Sequence, residues 1–215
     1  LLPSDSWSTR FDETFALHLD CAECELVLTH FEQTDALLDI CLAHAHQLRD
    51  RARIYFLRNR IYFLTKRAAQ GLDAGLETLA LFGVTFPHTD QELLKAGEAA
   101  RQQFSNMLAL NRRPIAELIN LPVATDPNVR IMIALMSEMV TTAYSARPAL
   151  ALPLLLKAME FSLEYGNIEE SCAIYSNVGL LLAASFDDPQ TAYELSQMAL
   201  RLNERFQDAK LRGRL

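Results

Sequence analysis

Apolar residues recur along almost the whole chain at intervals of three and four, and no stretch alternates as a half-buried strand would. This pattern predicts helices over about Phe11–Thr29, Thr34–Arg49, Asp50–Ala69 and Leu72–Gly83. It predicts further helices from Thr89 or Asp90 to Leu110, and over Asn128–Ser145, Ala149–Gly166, Ile168–Phe186 and Pro189–Phe206. A short irregular helix is expected between Arg113-Pro114 and Leu121-Pro122. The punctuation agrees. His30-Phe31-Glu32-Gln33 reads as a turn, and Gly83-Val84-Thr85-Phe86-Pro87 as a break. Asp126-Pro127 and Asp188-Pro189 each pair a good N-cap with a good first helical residue. Tyr165-Gly166-Asn167 is a stop, because glycine takes positive φ without a Cβ clash.

Small residues add a longer period. Ala151, Leu155 and Ala158 step by four and three, and Ala192, Ser196 and Ala199 repeat the spacing 41 positions later. Ala36, Ile40 and Ala43 are followed in the same way by Gly71, Gly75 and Thr78, 35 positions on. A constant step of this length signals one supersecondary unit stacked on another. Gly179 lies in mid-helix, where glycine costs about 1 kcal/mol against alanine. The cost makes sense if Gly179 faces the small residues of the next helix at a close crossing. Tyr175-x-x-Val-Gly-x-x-Leu182, followed by the Ala192 triplet, resembles the tetratricopeptide repeat, with about one extra residue in the turn. The reading is an all-α, tetratricopeptide-like superhelix, a solenoid of about ten helices in a single domain over 1–215. Repeat pairs would span about 11–83 and 127–207, around an irregular pair at about 89–122.

Composition narrows the function. Of 215 residues, half are hydrophobic, which supplies ample core. The net charge of −7 argues against nucleic acid as the partner. No run of 18 apolar residues is long enough to span a membrane. Leu1-Leu2-Pro3-Ser4 has neither the basic start nor the apolar core of a signal peptide. The absent initiating methionine and the helical-looking Ala209-Lys210-Leu211 suggest a piece of a longer protein. Four cysteines without a secretory signal suggest the reducing cytoplasm.

Candidate chemistry is sparse. Cys21 and Cys24 share a helical face with His18, but a structural zinc site needs four ligands, and Cys41, His44 and His46 qualify only by proximity. Core packing is the favoured role for the cysteines, with no metal bound. Met132, Met136 and Met139 form a stripe read as core filling. Glu169-Glu170 and Asp187-Asp188 sit at helix starts, where negative charge complements the helix dipole. No phosphate loop, Gly-x-Ser-x-Gly or His-Glu-x-x-His is present, so neither an enzyme active site nor a cofactor is expected.

The oddest feature is a duplicated heptad: Arg51-Ala-Arg-Ile-Tyr-Phe-Leu57, then Arg58-Asn-Arg-Ile-Tyr-Phe-Leu64. Ile54, Leu57, Ile61 and Leu64 make an apolar face, with Phe56 and Phe63 at its margin. Arg51, Tyr55, Arg58 and Tyr62 make a separate stripe. Arginine and tyrosine concentrate binding energy at interfaces, so this stripe is the candidate partner-binding site, aimed at an acidic segment. The alternative is that its arginines pair with Glu23, Asp39 or Glu77 and its tyrosines cover the core.

The packing motifs resemble a family. They are Arg147-Pro-Ala-Leu-Ala-Leu through Glu164-Tyr-Gly-Asn, Tyr175-Ser-Asn-Val-Gly-Leu-Leu-Leu-Ala, Asp188-Pro-Gln-Thr-Ala-Tyr-Glu-Leu and Ala199-Leu-Arg-Leu-Asn-Glu-Arg-Phe. Leu17-His-Leu-Asp-Cys-Ala-Glu-Cys-Glu and Leu79-Ala-Leu-Phe-Gly-Val join them. Together they resemble the helical-repeat region of large bacterial signalling ATPases, in which a serine/threonine kinase domain and an ATPase precede the repeats and a sensor histidine kinase often follows. The resemblance implies a regulatory module contacting neighbouring domains or protein partners. Its alternative is a domain sensing a small-molecule inducer, as in ATPase-type transcription activators.

Overall fold

The computed structural model describes Pro3 and residues 5–111 and 114–207. Arg113, Ala209-Lys210-Leu211 and most of the Leu1–Ser4 opening, on which expectations above rest, lie outside them. Among the described residues the chain is all-helical, with one isolated β-bridge between Val123 and Asn167. The helices are α1 (Ser6–Thr9), α2 (Phe11–Val27), α3 (Phe31–His44), α4 (Leu48–Leu64), α5 (Ala68–Leu81) and α6 (Asp90–Asn111). After them come α7 (Pro127–Ala146), α8 (Ala151–Tyr165), α9 (Ser171–Phe186) and α10 (Pro189–Phe206). Single 3-10 segments occupy Ile115–Asn120 and Pro148–Leu150. Two compact units divide the chain at Val84/Thr85, inside the stretch expected to be a break, where one continuous domain was expected.

In the first unit, α2 packs on α3 and α4 on α5. Phe15, Leu19, Ala22 and Leu26 from α2 meet Leu38 and Cys41 from α3 and Ile54, Leu57 and Ile61 from α4 in one core. The turns leaving α2 and α4 have the same geometry. Thr29 and Lys66 both take positive φ, near 60°. The amide of His30 reaches back to the Glu25 carbonyl (2.9 Å), and that of Arg67 to the Tyr62 carbonyl (2.7 Å). Such six-to-one bonds satisfy the last helical carbonyls within one left-handed residue. The chain therefore reverses at once, and α3 and α5 begin three to four residues earlier than periodicity suggested. The turns also reset the register. Positions 29 and 66 are 37 apart, not 35. The expected small-residue contact is overturned in α3: Ala36, Ile40 and Ala43 are exposed, and Thr34, Leu38 and Cys41 are buried instead.

In the second unit the local caps form as expected. Asp126 accepts from the amides of Asn128 (2.8 Å) and Val129 (3.5 Å), and Asp188 from that of Thr191 (3.1 Å), each with proline following. Thr89 and Glu92 close a capping box at the start of α6. Arg147, at the end of α7, donates to Asp90 (2.7 Å) and to the His88 carbonyl, fixing that start. Glu169-Glu170 behaves differently from expectation. The Glu169 carboxylate accepts from Arg130 of α7 at 2.7 Å, and Glu170 makes no side-chain cap. Met132, Met136 and Met139 are buried in α7.

The segment 114–124 has little backbone ladder of its own, and the α8–α9 turn supplies its partners. Asn167 is fully buried. Its side-chain amide donates to the Leu118 carbonyl (2.9 Å), and its side-chain carbonyl accepts from the Tyr175 hydroxyl (2.9 Å). Its own amide donates to the Pro122 carbonyl (2.8 Å), and its carbonyl accepts from the Ala124 amide (3.0 Å). Gly166 makes this approach feasible. Its φ is +112°, and a Cβ there would lie 2.4 Å from the Pro122 oxygen. Asn167 is committed to these contacts and the Ile168 amide donates to the Ser171 hydroxyl (3.0 Å), so α9 starts at Ser171 and not at Ile168.

Helix α10 packs principally on α9. Ala151, Leu155, Ala158, Ala192 and Ala199 are all buried. A Cβ on Gly179 would meet the Ala192 carbonyl oxygen at 2.9 Å and the Ser196 hydroxyl at 3.3 Å, so the close crossing is real. Exchanging a helical glycine for alanine normally gains about 1 kcal/mol. Here Gly179→Ala should lose about 1–3 kcal/mol by overpacking against backbone. Gly97→Ala, whose Cβ would meet the side-chain end of Leu152 at 3.3 Å and Pro153 Cδ at an ordinary 3.5 Å and no backbone, should be neutral or stabilising. Urea melts of the two variants test the difference; equal midpoints would exclude the crossing.

Candidate functional site

The duplicated heptad is α4, and its placement decides which side chains are available. Ile54, Leu57 and Ile61 turn into the core, as periodicity requires. Leu64, expected beside them, is 56% exposed at the helix end. Gln47 and Asp50 form a capping box ahead of the helix. Charge explains its position. Helix α4 carries Arg49, Arg51, Arg53, Arg58 and Arg60 against the single acid Asp50, whereas α2 and α3 carry Asp12, Glu13, Asp20, Glu23, Glu25, Glu32, Asp35 and Asp39 and no lysine or arginine. A cationic helix thus lies beside two anionic ones.

The stripe Arg51, Tyr55, Arg58 and Tyr62 does not form one surface. Tyr55 is only 4% exposed, and its hydroxyl donates to the Gly71 carbonyl (2.9 Å) and to Asn59 (3.2 Å). It belongs to the α4–α5 contact and is shut off from any partner. Arg58 pairs with Asp39 and approaches Asp35 at 4.0 Å. Tyr62 is half-buried against Gly71, with the Arg67 guanidinium 5.1 Å over its ring. Arg51 stays exposed. Periodicity grouped the four correctly on one side of the helix, but that side looks toward α3 and α5.

The other arginine of each heptad occupies the open side. Arg53, Phe56, Arg60 and Phe63 step by three, four and three, and sequence reasoning missed them. The duplication carried the signal, since each copy holds two arginines and only the first was followed. Arg53, Phe56, Leu57 and Arg60 line a groove of about 250 Å³ with Leu19, Asp20 and Glu23 of α2. Arg60 pairs with Glu23 at 3.4 Å, and the Arg53 guanidinium lies 5.2 Å over the Phe15 ring. The groove therefore combines Leu19, Phe56 and Leu57 with two arginines and two carboxylates.

The cysteines separate into two kinds. Cys41 and Cys172 are buried, in line with core packing, and burial pushes the Cys41 thiol up to about 11. Cys21 and Cys24 are exposed on α2, so the core-packing role is overturned for them. His18 and His44 turn to Trp7, with ring centroids 4.7 and 4.1 Å away. Each donates its Nδ1 proton to a carbonyl of its own helix, Thr14 at 2.7 Å and Ile40 at 3.0 Å. Among the described residues no three metal-ligating side chains gather, and no helix is long and apolar enough to cross a membrane.

No family model matches the chain, and neither the curated proteins nor the solved structures contain a match.

Thiol reactivity follows from these positions. In the native protein Cys21 and Cys24 should react rapidly with a disulfide reagent such as dithionitrobenzoate. Cys41 and Cys172 should wait for unfolding, because a buried thiol is a poor source of thiolate. Four equally fast thiols, or none, would contradict the assignment.

Proposed function

We propose that this chain is a non-catalytic, cytoplasmic helical module that binds an acidic segment of a neighbouring domain or protein partner. The observation that carries this reading is the open Arg53–Phe56–Arg60–Phe63 face of α4 beside its groove. Arginine and aromatic side chains are the groups that concentrate interface energy, and the guanidinium fork suits carboxylates. The Arg60–Glu23 pair is half-exposed on both sides, so a partner carboxylate displaces it at little expense. Arg53 and Arg60 are two helical turns apart, about 10.5 Å. An extended strand advances about 3.3 Å per residue. Side chains two or four residues apart share one face of such a strand, so two carboxylates four residues apart, about 13 Å, bracket the two flexible arginines while an apolar side chain midway between them faces Leu19, Phe56 and Leu57. A regulatory role in a bacterial multidomain signalling ATPase, with tetratricopeptide-like stacking of the helices, is the biological setting that the packing motifs suggest.

A second reading has its own support. A pocket of about 320 Å³ in the second unit is lined by Ala100, Gln103, Leu156, Met159 and Leu163, with Glu160 and Glu164 at its edge. That is near the lower end of small-molecule sites and would suit an apolar inducer.

The test of the first reading is titration with a fluorescent peptide bearing Glu-x-Leu-x-Glu. Arg53→Ala with Arg60→Ala should weaken binding at least about tenfold with an unchanged melting temperature, whereas Arg51→Ala should not. Equal loss in Arg51→Ala, or no binding by the parent protein, would refute the groove. Binding of an apolar ligand that is abolished by Leu156→Trp would favour the second reading.

A further inference from the structure

We infer that the outward face of α2 is a docking surface for a basic amphipathic helix. Phe15, Leu19, Ala22 and Leu26 point α2 into the core. Directly opposite lie Leu17, Cys21, Cys24 and Leu28, in steps of four, three and four. Leu17 is 48% exposed and Leu28 59%, and both thiols are exposed. Val27, 77% exposed, borders the same stripe. A helix covering a core normally turns a polar face to water; α2 is apolar on both.

The spacing identifies the kind of occupant. Alternating steps of four and three make the seam along which two helices pack. Reduced cysteine serves in such a seam as a small apolar residue. Charge identifies the occupant further. Helix α2 carries Asp12, Glu13, Asp20, Glu23 and Glu25 and no lysine or arginine. Glu13 and Asp20 fall on one flank of the stripe and Glu25 on the other. Their intramolecular ion pairs, Glu13 with Arg10 at 3.8 Å and Glu25 with His30 at 2.7 Å, are at the surface and exchangeable. A second copy of α2 would set these carboxylates against their like, which is destabilising. A helix whose apolar stripe is flanked by lysine or arginine meets both requirements. This surface shares only Asp20 with the lining of the Arg53/Arg60 groove, and its apolar stripe lies outside it, so either can fail without the other.

The probe is a synthetic helical peptide of about three heptads, with leucine at the seam positions and lysine on both flanks. Its comparator carries glutamate at the flanks. Calorimetry with the whole chain should show binding of the lysine peptide only. Leu17→Glu with Leu28→Glu should weaken it at least about tenfold, while Arg53→Ala with Arg60→Ala leaves it unchanged. Saturating peptide should slow alkylation of Cys21 and Cys24 by iodoacetamide by a similar factor. If the glutamate pair lowers the melting temperature, Leu17→Gln with Leu28→Gln makes the same comparison. The inference is overturned by absence of binding, by equal binding to the leucine variants, or by thiols that stay unprotected. A dimer of the free chain that Leu17→Glu and Leu28→Glu dissolve would also overturn it, assigning the face to a second copy.

Discussion

Buried backbone polarity is the constraint on which the second unit depends. Beyond the 3-10 segment at Ile115–Asn120, residues 114–124 have no ladder of their own, yet Leu118 and Ala124 are buried. Their carbonyls and amides must find partners or carry a desolvation penalty of about 1–3 kcal/mol each. One asparagine does much of this, bonding the Leu118 and Pro122 carbonyls and the Ala124 amide through its side-chain amide and both of its backbone groups. The surroundings conform to it. Gly166 loses its Cβ to admit Pro122, and Tyr175 buries its hydroxyl to complete the Asn167 carbonyl. Arg130 adds a bond to the Ala124 carbonyl while holding Glu169. Burial raises the Tyr175 phenol above its ordinary range, so it remains a neutral donor.

The first unit rests on a different balance. Its turns are regular, and its cohesion comes from an apolar core beneath a belt of opposite charge. Arg58 of α4 and Arg67, just ahead of α5, pair with Asp35 and Asp39 of α3. On the other side Arg60 pairs with the half-exposed Glu23, and Arg53 lies over the Phe15 ring. In the second copy of the heptad, Arg58 is thus paired on the packed side while Arg60 lies on the open one.

What was legible in the sequence was local. The caps at Asp126 and Asp188 need only the next three residues, and the periodicity of α7 and α8 needs only its own helix. Gly179 was legible because it costs energy unless something approaches closely. The misreadings involve neighbours distant in sequence. Ala36, Ile40 and Ala43 look like a contact triplet, but the left-handed turns at Thr29 and Lys66 set a 37-residue step that puts them outside. Arg58 and Arg60 have equivalent sequence surroundings in the heptad, so only the packing of α3 and α5 could say which one is drawn to α3 and which faces solvent. Cys21 and Cys24 look like core residues until the opposite face of α2 is seen to fill the core alone. Asn167 gave no warning, since an asparagine after a glycine reads as an ordinary turn.

The Asn167 staple also imposes an order of events. Leu118 and Asn167 are 49 residues apart, so their bond closes a long loop and repays its closure entropy only when everything between is in place. Helices α7 and α8 can form from local contacts, on the timescale of helix elongation. The 114–124 segment cannot follow until the α8–α9 turn has settled around Gly166. This makes it a late-ordering piece of the second unit. The amides of Ala124 and Asn167 then become reporters of cooperative unfolding, exchanging with solvent only when that turn opens.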